Sequence, residues 1–418
     1  MRQDTDYSDH FCSLVGLFRA RARTASRLLF VLGLTLLASS CVTIANASST
    51  FDATVPERWG EFQWLSPWIE TGASYSEPKI GQFTEGSASF GGRWTGWAGA
   101  NRGGDPTRVE AQIAIGTRSL VARPLRYAPL SSVERPSDPA LVDAFAGVSG
   151  NWGRLRFGLI PMTFGLEEGI ESERRWLRPL VLRRGLIGLR DIGLGYSVSA
   201  GGFYSDWYVH NGEGGDDRDR EIWMTARWEY RLRTDRVLWR WGASGQVGRT
   251  NPDSTHPLGT TASTLSELDP DQSSKLRFGA LHMASDWVIG EGGRGSETDR
   301  RFGFEFEGFG GEIEQDARSR RLRAARLDIE YEPFEKWGFL LRGEMLDPDT
   351  QLAGDMIHEA GFGVQYYMLA GALKRSLRAL VVVTKEWNEA PLVVVSGAPD
   401  LTRHRIEFVL RFSPDLPE

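Results

Sequence analysis

The sequence predicts an all-β fold, a transmembrane antiparallel β-barrel of about sixteen strands behind a cleaved signal peptide. Three observations point there: a leader that turns from basic to apolar, long stretches in which apolar and polar side chains alternate, and aromatic residues near the ends of those stretches.

In the leader, Arg19, Arg21, Arg23 and Arg27 precede an apolar run from Leu28 to Leu37, and Ala45-Asn46-Ala47 offers a small-x-small cleavage site. Residues 1–47 are expected to be removed, leaving a barrel over 48–418. Lipidation at Cys41 is the alternative, but Ala38 stands where a lipoprotein signal wants a larger aliphatic residue. The apolar run is shorter than the roughly 20 residues of a spanning helix, and no later segment approaches that length. Cys12 and Cys41 both precede the cleavage site, so the mature chain carries no thiol, disulfide or thiolate ligand, as suits an oxidising envelope compartment.

Alternation is the strongest regularity. Ile222, Met224, Ala226, Trp228 and Tyr230 interleave with Glu221, Thr225, Arg227, Glu229 and Arg231. The same period of two appears in Val109, Ala111, Ile113 and Ile115 against Glu110 and Gln112, and in Phe302, Phe304 and Phe306 against Glu305 and Glu307. It continues in Leu327, Ile329 and Tyr331 against Arg326, Asp328 and Glu330, and in Ile406, Phe408, Leu410 and Phe412 against Arg405, Glu407 and Arg411. A barrel with only every second residue in lipid keeps mean hydropathy low.

The expected strands are 68–76, 87–97, 108–121, 144–151, 154–160, 191–199, 202–209, 220–232, 237–248, 275–289, 301–312, 322–332, 337–346, 357–369, 376–387 and 403–412. Tight turns at 151–153, 200–201, 234–235 and 333–335 alternate with long connections at 122–143, 161–190, 249–274 and 388–402. Connections 98–107 and 290–300 are long for the tight-turn side, which leaves fourteen or eighteen strands open. Trp64, Trp68, Trp94, Trp97, Trp207, Tyr208, Trp239, Trp241, Trp287, Trp337, Tyr366, Tyr367 and Trp387 lie near strand ends and are assigned to interfacial girdles. The final strand ends on Phe412, as outer-membrane assembly signals do, although Ser413 to Glu418 follow it.

Several spaced elements stand between 154 and 212: Gly158 and Pro161, then Phe164, Gly165 and Glu167, then Glu173 and Arg174, then Arg190, Asp191 and Gly193, then Asn211 and Gly212. In this order they resemble the phosphate-selective porin O and P family. The usual Lys before the Pro is Ile160 here, and Met162 and Thr163 separate Pro161 from Phe164. The resemblance implies a trimeric, loop-constricted porin, general or anion-preferring, in the cell outer membrane of a Gram-negative bacterium. Expected partners are outer-membrane lipids and lipopolysaccharide, with small hydrophilic solutes or anions as cargo. No cofactor, metal or nucleic acid is expected.

Charge alone does not select anions. Removing the leader's five arginines and three aspartates from 49 basic and 55 acidic residues leaves 44 against 52. Locally, Arg174, Arg175, Arg178, Arg183, Arg184 and Arg190 crowd the connection 161–190, which would make a basic constriction if it folds inward. Glu167, Glu168, Glu171 and Glu173 would supply the opposing charge; a solvated external loop is the competing reading. Only Lys79, Lys275, Lys336, Lys374 and Lys385 occur, which argues against a lysine-lined phosphate trap.

No enzymatic motif emerges. His210, His256, His282, His358 and His404 are scattered and read as structural, and the acidic run Glu213, Asp216, Asp217 and Asp219 lacks EF-hand spacing. Gly290 to Gly295 lacks the context of a phosphate loop. A barrel that does not conduct and serves as scaffold, adhesin or secretion component is the alternative function, and conductance separates the two. For a basic constriction, replacing Arg183 and Arg184 together by Glu lowers anion-over-cation permeability in planar bilayers; an unchanged ratio sinks that assignment.

Overall fold

Strands with one apolar and one charged face satisfy both faces and every backbone group by closing into a ring. A computed structural model describes residues 61–76, 79–98, 107–117, 139–168, 179–183, 186–187, 190–212, 221–250, 273–289, 300–315, 318–351, 356–369, 377–388 and 402–412. The first strands are β1 (Glu61–Ser76), β2 (Lys79–Ala98), β3 (Thr107–Thr117), β4 (Pro139–Gly150) and β5 (Gly153–Pro161). The short pair β6 (Thr163–Phe164) and β7 (Glu167–Glu168) and the helical turn α1 (Leu180–Arg183) follow. Next come β8 (Arg190–Ala200), β9 (Phe203–His210), β10 (Trp223–Arg233), β11 (Val237–Thr250), β12 (Ser274–Ile289) and β13 (Arg300–Gln315). The last are β14 (Arg318–Phe334), β15 (Trp337–Asp347), β16 (Ile357–Tyr367), β17 (Leu377–Asn388) and β18 (Thr402–Phe412).

Apart from β6 and β7, these strands form one closed antiparallel barrel of sixteen strands, each beside its sequence neighbour in the ring. The ring shuts where β1 pairs with β18, in register from Ile69 opposite Phe412 to Ser76 opposite Arg405. All sixteen expected strands are present. The first two start earlier than expected, at Glu61 and Lys79. Their pairing shifts register between Leu65 and Trp68, between Glu70 and Gly72, and between Ser74 and Ser76, and such bulges break the period of two that marks a strand.

The barrel is inverted relative to a water-soluble protein. Outward positions carry Leu281, 68% exposed, Phe157, 67%, and Ile113, 59%, whereas inward positions carry Glu229, 1%, Arg227, 2%, and Arg342, 2%. Such a surface is stable only against hydrocarbon. Among the described residues no helix is long and apolar enough to cross a membrane. The leader at 1–47 with Cys41, the acidic run 213–219, His256, Gly290 to Gly295 and the tail 413–418 lie outside the described residues.

An aromatic belt marks the barrel end where β1 starts and β18 finishes. Trp152 stacks on Tyr196 at 6.5 Å, Tyr230 meets Trp241 at 5.3 Å, Trp239 meets Trp287 at 5.9 Å, and Trp337 meets Tyr366 at 4.9 Å. Tyr208 and Tyr367, assigned to the girdle from sequence, are instead buried inside. Each is adjacent to an outward aromatic, and successive residues of a strand point to opposite faces. The side chains of Trp64, Trp68 and Trp97 lie outside the described ones.

At the opposite end the polarity of the two faces reverses within single strands. Near the loop-bearing ends of β12, β13 and β14 the outward positions become Lys275, Arg277, Glu312, Glu314, Arg321 and Arg323, linked by ion pairs such as Arg277 to Glu312 at 3.7 Å and Arg321 to Glu312 at 3.6 Å. The inward positions there are Leu276, Phe278, Phe309, Ile313 and Leu322, all buried. Sixteen- and seventeen-residue strands exceed the 9–11 residues that cross a bilayer, so these ends stand in water. Arginine at position 281, outward and within the apolar band, costs about 2–4 kcal/mol of barrel stability. Urea unfolding of Leu281→Arg in lipid checks this, with Arg277→Leu as the control above the band.

Candidate functional site

The inner wall holds the candidate site, and strand register assembles it. Arg93 lies opposite Gln112, Arg108 opposite Ser149 and Ser149 opposite Arg154, while Arg156 and Glu110 both face Gly147. Four guanidiniums from β2, β3 and β5 thus meet on one patch of wall. Arg154 is held by Glu110 through two bonds of 2.5 and 2.6 Å. The other three donate to neutral groups: Arg93 Nε to Gln112 at 2.9 Å, Arg108 Nη2 to Thr95 at 3.2 Å, and Arg156 Nη2 to Ser197 at 3.3 Å. Arg108 Nε and Arg156 Nε are buried without an acceptor among the described residues. Guanidiniums stay protonated, so at Arg93, Arg108 and Arg156 this patch holds positive charge that is hydrogen-bonded to neutral partners.

In a ring of sixteen, β3 lies eight steps from β13 and β5 eight steps from β15. The wall facing the arginine patch is therefore β13 to β15, and its charges are densely paired. Arg342 grips Asp328 through bonds of 2.6 and 2.5 Å. Arg326 reaches Glu307 at 3.1 Å and Asp328 at 3.8 Å. Farther round the ring, Glu229 on β10 gathers Arg227 and Arg231 of its own strand and His282 of β12.

The connection between β5 and β8 enters the barrel. Phe164 packs edge-on against Phe309 at 6.1 Å and shares an apolar core with Leu180, Val181, Leu186, Ile187, Leu276, Phe278 and Leu346. Backbone polar groups of the incoming chain are met by wall side chains: Gly165 N donates to Ser244 Oγ at 2.8 Å, Leu166 N to Glu307 Oε1 at 3.2 Å, and Leu180 N, at the start of α1, to Glu344 Oε1 at 2.5 Å. Gly165 is left-handed, with φ of 60°, and a Cβ there would overlap the Glu307 carboxylate. Thr163 bonds Asp206 at 3.1 Å on the side nearer β9.

Of the predicted constriction, Arg174, Arg175, Arg178, Arg184, Glu171 and Glu173 lie outside the described residues, as do the side chains of Glu167, Glu168 and Arg183. Arg190 is buried at the start of β8, where its Nε donates to Asp143 at 3.2 Å, so it forms part of the wall's internal bonding.

The spaced residues from 158 to 212 have a structural explanation. Asp191 accepts from Gly212 N at 2.5 Å and from Ile192 N at 2.8 Å, and lies 2.7 Å from His210 Nδ1. His210 Nε2 is 2.9 Å from Thr225 Oγ1, and Asn211 N donates to Ile192 O at 3.2 Å. These contacts tie the start of β8 to the end of β9. Gly212, with φ of 88°, lies so close to Trp223 that a Cβ would collide with its indole. Gly158 and Gly193 face one another across β5 and β8, and Pro161 ends β5 opposite Arg190. Asp191, His210 and Thr225 are buried, and the network holds the base of the inward chain.

No protein-family model matches the chain, and no curated protein matches it in sequence. Solved structures match the fold. OmpT of Vibrio cholerae, an outer membrane protein in its trimer form, is 13% identical with a TM-score of 0.55, over 84% of this chain and 99% of that one. The anion-selective porin from Comamonas acidovorans is 12% identical with a TM-score of 0.53, over 84% and 100%. The outer membrane channel DcaP of Acinetobacter baumannii is 10% identical with a TM-score of 0.52, over 85% and 97%. The chain has the fold of an outer-membrane porin.

In this porin fold the arginine patch escaped sequence reasoning because Arg93 and Arg156 lie far apart in the chain and meet only through three strand registers. Their inward parity was the available signal: on β3 and β5, Arg108, Arg154 and Arg156 all fall on the charged face. The apolar grip on the inserted chain generates a prediction. Phe164→Ala leaves a cavity beside Phe278 and Phe309 and costs about 3–5 kcal/mol of loop docking. Protease should then cut within 162–189 while the heat-modifiable barrel band persists on gels; unchanged protection would refute the docking role.

Proposed function

We propose that this chain is a porin of the Gram-negative outer membrane, through which small hydrophilic solutes diffuse passively between the arginine patch and the inserted chain, with anions favoured along the arginine side. The observation that carries the reading is the pairing of Arg93, Arg108 and Arg156 with neutral groups on an inner wall, inside a barrel whose outer face is apolar. Guanidinium charge beside a low-dielectric wall focuses a field on whatever passes, and a diffusing anion replaces no internal carboxylate there. The inserted chain narrows the lumen from the β9 to β16 side, where its described contacts fall.

Selectivity for phosphate over other anions is not part of this proposal, since the patch contains no lysine and the spaced residues from 158 to 212 form an internal tie. Lipopolysaccharide is the proposed neighbour of the charged outer ends of β12 to β14. A homotrimer is proposed from the porin fold.

The experiment is reversal potential in a potassium chloride gradient, with the purified protein in planar bilayers. Replacing Arg93, Arg108 and Arg156 together by Gln is expected to lower the chloride-to-potassium permeability ratio severalfold with discrete ohmic steps retained. An unchanged ratio removes the arginine patch from the permeation path, and electrical silence of the folded wild-type protein favours the scaffold reading.

A further inference from the structure

We propose that the docking of the inserted chain is proton-linked: Glu307 and Glu344 clamp its backbone while ionised and lose that grip in acid. The clamp stands on the docking geometry and holds whether or not the barrel conducts.

Strand register lines up its parts. On the inner wall His282 of β12 stands opposite Glu307 of β13, Glu307 opposite Arg326 of β14, and Arg326 opposite Glu344 of β15. Glu359 of β16 follows, opposite Glu344. All five residues are buried.

The inserted chain lies on this row and is held at two points. Glu307 divides its oxygens: Oε2 meets Arg326 Nη2 at 3.1 Å, and Oε1 accepts from Leu166 N at 3.2 Å. Glu344 Oε1 accepts from Leu180 N at 2.5 Å. Two carboxylates on either side of one guanidinium thus hold the chain just before β7 and again where α1 starts.

These two bonds depend on charge. An ionised acceptor makes a bond about twice as strong as a neutral one. A carboxylic acid keeps the shape of the carboxylate but loses the charge, and its added hydrogen needs an acceptor of its own. The rest of the docking surface, from Phe164 to Ile187, is apolar and indifferent to pH. The grip is therefore complete above the titration of the two carboxylates and is lost as pH falls through it.

The charged neighbours shape the response. Glu307 is faced by His282, Arg326 and Asp328, with Glu305 on its own strand. Glu344 is faced by Arg326 and Glu359, with Arg342 on its own strand. From the inserted chain the described side chains at these contacts, Phe164, Leu166, Leu180 and Val181, are apolar. Arg326 stays charged throughout, so protonating Glu307 also weakens an ion pair. Like charges set directly opposite cost stability, so a proton on Glu344 removes a repulsion together with a bond.

The test is amide hydrogen exchange on the folded, detergent-solubilised protein, each rate expressed as protection over the unstructured rate at the same pH. Lowering pH from about 7 to about 4.5, across the ordinary carboxylate range, should cut protection of 161–168 and 180–187 about tenfold for each bond lost. Peptides from β10 to β14 should keep theirs, which separates undocking from unfolding. Glu344→Gln has the shape of the acid form and leaves the Arg326 ion pairs in place. It should lower protection at neutral pH and shrink the acid response, and Glu307→Gln with it should abolish the response. Should the double variant not fold, Glu344→Gln alone decides. Glu312→Gln, on the outer face, should respond as the wild type does. Protection that is the same at both pH values in the wild type, or an acid response undiminished in Glu344→Gln, overturns the clamp. An acid response in a barrel that is electrically silent supports the clamp and counts against the porin reading alone.

Discussion

Closure of the backbone hydrogen-bond ring, made by β1 and β18, is the constraint on which everything else rests. Hydrocarbon offers no partner to an unpaired amide, so a strand edge inside the bilayer is untenable and the sheet must meet itself. Once it does, side-chain direction is settled for every residue in the ring. One parity faces lipid and the other faces the lumen. The burial of Arg227, Glu229 and Arg342 beside the exposure of Leu281 and Phe157 follows from that geometry without any local preference of those residues.

A closed ring also creates an interior that must be furnished. Two materials fill it, and they fill different parts. Toward the aromatic belt the inner wall is ionic, with an arginine patch facing a wall of paired charges. Toward the opposite end of β12 to β14 it is apolar, and there Phe164, Leu180, Leu186 and Ile187 pack. The reversal of polarity along those strands thus has two causes acting together: water outside the bilayer admits Arg277, Glu312 and Arg321 to the outer face, and the inserted chain admits Phe278, Phe309 and Leu322 to the inner one.

Much of the fold was legible in the sequence, because alternation over a half-lipid, half-water surface is a strong signal in β3, β10, β13 and β14. The signal failed where physics departs from a flat two-faced strand. Bulges in the β1 and β2 pairing hid the first turns of both strands. Adjacent aromatics such as Trp207 and Tyr208 could not both be girdle residues, and only the observed parity separates them. The site was less legible. Arg183 and its neighbours drew attention because they are crowded in sequence, whereas Arg93, Arg108, Arg154 and Arg156 are dispersed and become a group through register. Residues Asp191, Asn211 and Gly212, read as part of a porin-like pattern, turn out to carry the hydrogen bonds that tie β8 to β9.

The apolar side of the inserted chain has a consequence for biogenesis. Phe164, Leu180, Leu186 and Ile187 find cover only inside a finished cylinder, and unlike the outward residues they have no lipid waiting for them. Before the cylinder closes they are uncovered apolar surface, which adds to the aggregation hazard of the future membrane face. Insertion and internal docking are then successive events, and an interrupted assembly would leave a cylinder that is sealed in the bilayer yet still lacks its internal partition.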